Sequence, residues 1–135
     1  MGRKKIYDKV PSYDKMLIPT LKALKQLGGS GSIDEINEKV YEIENYDEKT
    51  LEIPHDENGV QTKVEYRLAW ARTYLKKYGL LENSLRGVWA LVDNEIDIAN
   101  FNSDEIVRFV REKTRKSKSD KPKNPKLQTK KSKMK

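Results

Sequence analysis

The residues best suited to engage a partner cluster between positions 60 and 86 of this 135-residue chain. The run KVEYRLAWARTYLKK carries two tyrosines, a tryptophan, two arginines and three lysines, interleaved with apolar positions. Cations neutralise phosphates, and hydroxyls beside them can hydrogen-bond to phosphate oxygens or base edges, so such a run suits a polyanion. Two other groupings resemble catalytic or metal-binding sets. Pro54-His55-Asp56-Glu57 sets the single histidine beside two acids, and Asp47-Glu48-Lys49 satisfies an Asp-x-Lys pattern. Neighbouring residues rarely aim at one ion, so His55 reads as a loop residue. The Asp-x-Lys triplet has no strand-borne acid upstream with which to build the Mg²⁺ site of phosphodiester hydrolysis. No Gly-rich phosphate cradle, Ser–His–Asp set or spaced carboxylate pair accompanies them. These patterns predict a binding protein rather than an enzyme, with no catalytic residue, metal, cofactor or small-molecule substrate.

The length allows one domain with a modest core. No apolar run approaches the roughly 20 residues that span a bilayer, and the start MGRKKIYDKV lacks the apolar segment of a signal peptide. The absence of cysteine excludes disulfides and thiolate metal sites. A cytoplasmic, nucleoid-associated protein is the expectation. The net charge of +7 is unevenly spread. Residues 6–58 hold six lysines against twelve acids, −6, whereas residues 59–92 hold six cations against two acids, +4. Residues 116–135 hold nine lysines against one acid, +8. That last segment has almost nothing apolar to bury and is expected to be a disordered tail. The organisation predicted is a basic arm over 1–9, one domain over 10–115 and the tail from 116.

Apolar periodicity supplies the elements that must hold the basic run. Met16, Leu17, Leu21, Leu24 and Leu27 recur at helical spacing up to Gly28-Gly29. Pro19 requires that this first helix either kink or begin its regular part nearby. Ser32-Ile33-Asp34-Glu35 is a capping-box pattern that starts a second, acidic helix with Ile33, Ile36, Val40 and Ile43 as its buried stripe. Asn45 to Gly59 reads as a loop. A third helix is predicted from Val60 or Gln61 to Tyr78, with Val64, Leu68, Ala71 and Leu75 facing the core. Two short strands follow, near Leu80–Asn83 and Val88–Val92, joined by Ser84-Leu85-Arg86-Gly87. A last helix, over about 103–115, carries Ile106, Val107, Phe109 and Val110 on its apolar side. It either packs on its own domain, the favoured arrangement, or pairs with a twin to give a homodimer.

Three helices and then a hairpin make a mainly α fold with a small β-hairpin, the order of a winged helix-turn-helix. The third helix would then lie along the major groove of double-stranded DNA, offering Thr62, Lys63, Tyr66, Arg67, Thr73 and Lys77. Arg67 stands at the core edge, where pairing with an acid of the second helix is the alternative. Arg86 in the turn is either a wing contact to phosphate or minor groove, or an ordinary polar turn residue. Trp70 and Trp89 are expected to fill the core. The basic termini would add affinity that is independent of sequence.

LGGSGSIDEINEKV, IPH and TKVEYRLAWARTYLKKYGLLENSLRGVWAL resemble the N-terminal domain of Mrr-type restriction endonucleases, over about Val10 to Leu91. The resemblance implies a winged helix acting as the DNA-binding module of enzymes that cut modified foreign DNA. It assigns cleavage to a separate C-terminal nuclease domain of the PD-(D/E)xK type. No Pro-Asp pair occurs anywhere in this sequence, so the likeness extends to fold and DNA binding and not to cleavage. Two other roles compete with a DNA-binding regulator: a protein–protein interaction module, and the DNA-recognition fragment or partner of a restriction nuclease.

Overall fold

A computed structural model describes residues 10–57 and 59–120. The arm expected over 1–9 lies outside the described residues, as does the tail expected from 116 except for residues 116–120, which are helical and not disordered. The elements run α1 (Leu17–Gln26), β1 (Ser30–Ser32), α2 (Ile33–Glu44), α3 (Glu48–Glu52), α4 (Lys63–Tyr78), β2 (Leu81–Leu85), β3 (Val88–Leu91) and α5 (Ser103–Asp120). The strands form one antiparallel sheet in the order β1-β3-β2. Helices against a small sheet that ends in a hairpin give the winged-helix-like domain that the order of elements predicts.

Pro19 does not kink α1. It falls in the first turn, where a backbone N–H has no intrahelical partner to lose, and a one-turn 3₁₀ helix over Tyr13–Met16 leads into it. α2 begins with the predicted capping box: Ser32 Oγ accepts from Glu35 N at 3.1 Å and Glu35 Oε1 accepts from Ser32 N at 2.9 Å. Its buried face differs from the expected stripe. Ile33 stays exposed, Ile43 is half-buried, and Ile36, Asn37 and Val40 are the buried residues.

Two elements went unpredicted. β1 is Ser-Gly-Ser, with no β-branched or aromatic residue, and exists because β3 supplies a partner, pairing Ser30 with Ala90 and Ser32 with Val88. Gly31 between them is buried; a Cβ there would press on the Leu27 side chain at 3.0 Å. The segment read as a loop contains α3, started by Asp47, whose Oδ1 accepts from Thr50 N at 2.8 Å. The Asp-x-Lys triplet is therefore a helix N-cap followed by its first turn. Chain then runs back antiparallel, with His55 N donating to Gln61 O and Lys63 N to Ile53 O, both at 2.8 Å. That pairing delays the start of α4 to Lys63. β2 and β3 are joined by two residues, Arg86 and Gly87, where Gly87 takes φ +76°, a conformation that needs no Cβ. α5 carries on to Asp120, past the boundary expected at 115.

Val64, Leu68, Ala71 and Leu75 of α4 are fully buried, as their spacing predicts, against Met16, Leu17, Leu21 and Leu24. Leu81, Trp89 and Leu91 close the sheet side, and Ile106 and Val110 seat α5 on its own domain.

The core also holds a cation. Arg72, on α4, is only 4% exposed, donates to Asn37 Oδ1 on α2 at 3.0 Å, and lies 5.7 Å from the ring centre of Trp89 on β3. Burial pulls its pKa below the ordinary arginine value. Removing the acceptor leaves a desolvated charge, so Asn37→Leu is expected to destabilise by about 2 kcal/mol. Arg72→Met, which removes charge and acceptor demand together, should cost less; urea titration of the two variants checks the order.

Tyr41 and Tyr46, packed together at 6.2 Å between α2 and α3, are both pushed up to about 12, chiefly by burial and then by nearby negative charge. A folded pKa above the unfolded value near 10 means stability that is whole below pH 10 and lost as pH rises towards 12. Alkaline unfolding in that window, followed by tyrosinate absorbance, is the expected outcome. The Tyr46 hydroxyl is buried without a hydrogen-bond partner. Tyr46→Phe should raise the melting temperature and shift the alkaline transition upward.

Candidate nucleic-acid interface

α4 has one side committed to the core and one side outward. Its start is set by a second capping box, in which Thr62 Oγ1 accepts from Glu65 N at 3.1 Å and Glu65 Oε1 accepts from Thr62 N at 2.9 Å. Gly79 ends it in a left-handed conformation at φ +106°. At about 100° per residue, Tyr66, Thr73 and Lys77 fall within about 40° of one another on the outward side. Trp70 and Lys63 flank that strip. Tyr66, Ala69, Trp70, Thr73 and Lys77 line a shallow depression along it.

Aromatic rings form a ladder on this flank. His55 stacks on Tyr66 with ring centres 3.7 Å apart and planes at 16°. Tyr66 meets Trp70 at 6.5 Å, Trp70 meets Tyr74 at 6.3 Å, both edge-on, and Tyr74 meets Tyr13 at 4.8 Å. Spacing of four residues along α4 puts Tyr66, Trp70 and Tyr74 on successive turns, which is why the rings touch. His55 thus serves the ladder, with its Nδ1 3.2 Å from Lys63 Nζ. Among the described residues no group of three His, Asp or Glu could hold a metal.

The residues proposed from sequence divide in their placement. Lys77 is exposed near the end of α4 and Arg86 is exposed at the hairpin tip. Tyr66, Thr73 and Lys63 are half-buried along the outward strip, with the Lys63 ammonium 5.5 Å from the Tyr66 ring centre. Thr62 is the α4 N-cap, its hydroxyl already bonded to the backbone. Arg67 corrects the sequence reading: it meets no acid of α2, and instead donates to Val10 O at 2.7 Å and Pro11 O at 3.2 Å. Its guanidinium ties the segment before α1 to the middle of α4, and Arg72 is inside the core. Two of the six cations that make residues 59–92 basic are therefore turned inward.

Trp70 is the second correction. Trp89 fills the core as expected, at 9% exposed, but Trp70 is 43% exposed. Sequence reasoning also missed α5 as a contributor. Arg111 Nη2 donates to the Tyr13 hydroxyl at 2.8 Å, and Lys113 Nζ donates to Lys77 O at 3.3 Å, at the carbonyl end of α4. Burial raises the Tyr13 pKa. For Tyr74 partial burial acts upward too, but hydrogen bonding to Tyr13 and Arg111 outweighs it and holds the phenol below its ordinary value. The signal was present in the spacing of Arg108, Arg111 and Arg115, which puts three guanidinium groups on one side of a helix.

The family model described as the Mrr N-terminal domain matches residues 13–100. The chain belongs to this family. The match to the Mrr N-terminal domain covers α1 through β3 and stops short of α5. It therefore includes the α4 strip and the hairpin, while the arginines of α5 lie beyond it. Comparison with curated proteins and with solved structures returns no match. Among the described residues, no helix is long and apolar enough to cross a membrane.

The Arg67 tie gives a prediction specific to this Mrr N-terminal domain. Arg67→Ala should leave the helical circular dichroism almost unchanged and speed limited proteolysis near Val10 several-fold, since a part-buried side chain that holds two carbonyls is lost.

Proposed function

We propose that this Mrr N-terminal domain binds double-stranded DNA, with α4 along the major groove and the β2–β3 turn on the adjoining backbone. The observation that carries this reading is the outward strip of α4. It is a rigid helix about 24 Å long that presents hydroxyls, aromatic rings and lysines on the side opposite its fully buried core stripe. Tyr66 and Thr73 sit where base edges would be read, and Lys77 and Arg86 where phosphates would lie. Membership of a restriction-related domain family supports the same partner.

Charge arranges the approach. Asp56 and Glu57 are exposed in the turn before α4, whereas Lys76 and Lys77 are exposed at its other end. A phosphate backbone is thereby repelled from the start of α4 and drawn towards its end and towards α5. Preference for one sequence or one base modification would arise from Tyr66 and Thr73, because the lysines read only charge.

Anisotropy of a labelled duplex at several salt concentrations tests the reading. Lys77→Glu and Arg86→Glu should each weaken binding about equally on all sequences and lower the slope of log affinity against log salt by roughly 0.9. Lys22→Glu, an equal charge change on the exposed side of α1, should do neither. If all three variants behave alike, the strip does not contact the duplex and only diffuse charge attracts it. Matched duplexes that differ in methylation alone, tested with Thr73→Ala, report any modification preference.

A further inference from the structure

We propose that the groove between α4 and α5 binds an unpaired nucleotide strand, its base stacked on Trp70 and its phosphates on Lys77, Arg111 and Arg115. The inference rests on the nucleic-acid reading of the same face and shares Lys77 with it, but Trp70, Arg111 and Arg115 are residues that a duplex on α4 would leave idle. The groove is lined by Trp70, Tyr74, Lys77, Arg111, Thr114 and Arg115, and its volume of about 410 Å³ is within the range of small-ligand clefts.

Three observations select this occupant. The indole of Trp70 is 43% exposed, although two tyrosines grip it edge-on and hold its orientation. A ring fixed before binding loses little freedom when a base stacks on it. A paired duplex keeps its bases inside and has no use for such a surface; an unpaired strand supplies one base face after another. Cations then border the ring on both helices, Lys77 from α4 and Arg111 and Arg115 from α5, as a backbone running beside a stacked base requires. The Arg115 guanidinium now pairs with Glu112, and both side chains are at least half exposed. Exposed pairs of this kind contribute so little that exchange for a phosphate is easy. Arg111 is steadied by Tyr13 at 2.8 Å and keeps further donors for the groove.

The test uses the full chain and three labelled probes of about 12 nucleotides: a thymidine strand, an abasic strand of equal length and a duplex. The lysine-rich C-terminal segment attracts all three, so the deciding quantity is the difference between the thymidine and abasic strands. The thymidine strand should bind more tightly. Trp70→Ala should weaken it about ten-fold without moving the abasic strand, and Trp70→Phe should restore most of the loss. Arg115→Glu, at a largely exposed side chain, gives an independent reading: it should weaken the thymidine and abasic strands alike, several-fold more than Lys22→Glu on α1 does, even where Trp70→Ala perturbs the fold. Equal affinity for thymidine and abasic strands, or an Arg115→Glu effect no larger than that of Lys22→Glu, overturns the proposal. Duplex binding separates the two readings. Trp70-dependent strand binding without duplex binding would remove the major-groove reading alone. Duplex binding with strand affinity indifferent to Trp70 would remove the groove alone.

Discussion

A buried arginine sets the geometry on which the rest of this domain depends. The Arg72 guanidinium lies under the surface, bonded to Asn37 of α2 and facing the ring of Trp89 on β3, so one side chain of α4 is anchored to the helix layer and the sheet together. A desolvated cation tolerates few positions, because each lost partner leaves charge in a medium that solvates it poorly. Apolar neighbours alone would permit α4 small rotations about its axis at modest penalty. Arg72 restricts that freedom, and with it the choice of which residues look outward. The rotation that buries Arg72 is the one that turns Tyr66, Trp70, Thr73 and Lys77 outward.

Around that anchor, the sides of α4 have different work. The core strip is entirely aliphatic and fully buried. The inward cations border it on its two sides, Arg67 on two backbone carbonyls and Arg72 on Asn37. The outward side carries lysines and a ladder of rings that starts at His55 and passes along three turns of α4 to Tyr13. α5 joins at the far end, through Phe109 against Tyr78 and Lys113 against the last carbonyls of α4. The basic surface therefore continues from one helix to the next, and the two acids before α4 give it a direction.

Much of the frame was readable from residue types, and each success had a local cause. Ser32 with Glu35, Gly79 after Tyr78, and the spacing of Val64, Leu68, Ala71 and Leu75 each depend on neighbours within a turn. The misreadings came from partners distant in sequence. β1 needed β3, separated from it by more than 50 residues, to become a strand at all. α3 was hidden in a polar stretch because its single turn is held by Asp47 and not by apolar periodicity. Arg67, placed at the core edge with DNA or an acid of α2 as its partner, was instead met by the chain before α1, and Trp70 looked like core until the ladder of rings gave it support outside the core.

The amino-acid sequence alone determined the capping box that opens α2, the glycine stop of α4 and its aliphatic core stripe, and that the basic charge gathers in residues 59–92 and beyond 115. These properties follow from backbone hydrogen bonding and side-chain period, and both act over a few residues. Tertiary structure alone decided which cations remain at the surface, which tryptophan stays open, and that α5 completes a groove with α4. A charge or an indole is committed inward or outward by what reaches it from elsewhere in the chain, and that depends on burial and long-range contact, which residue order does not state.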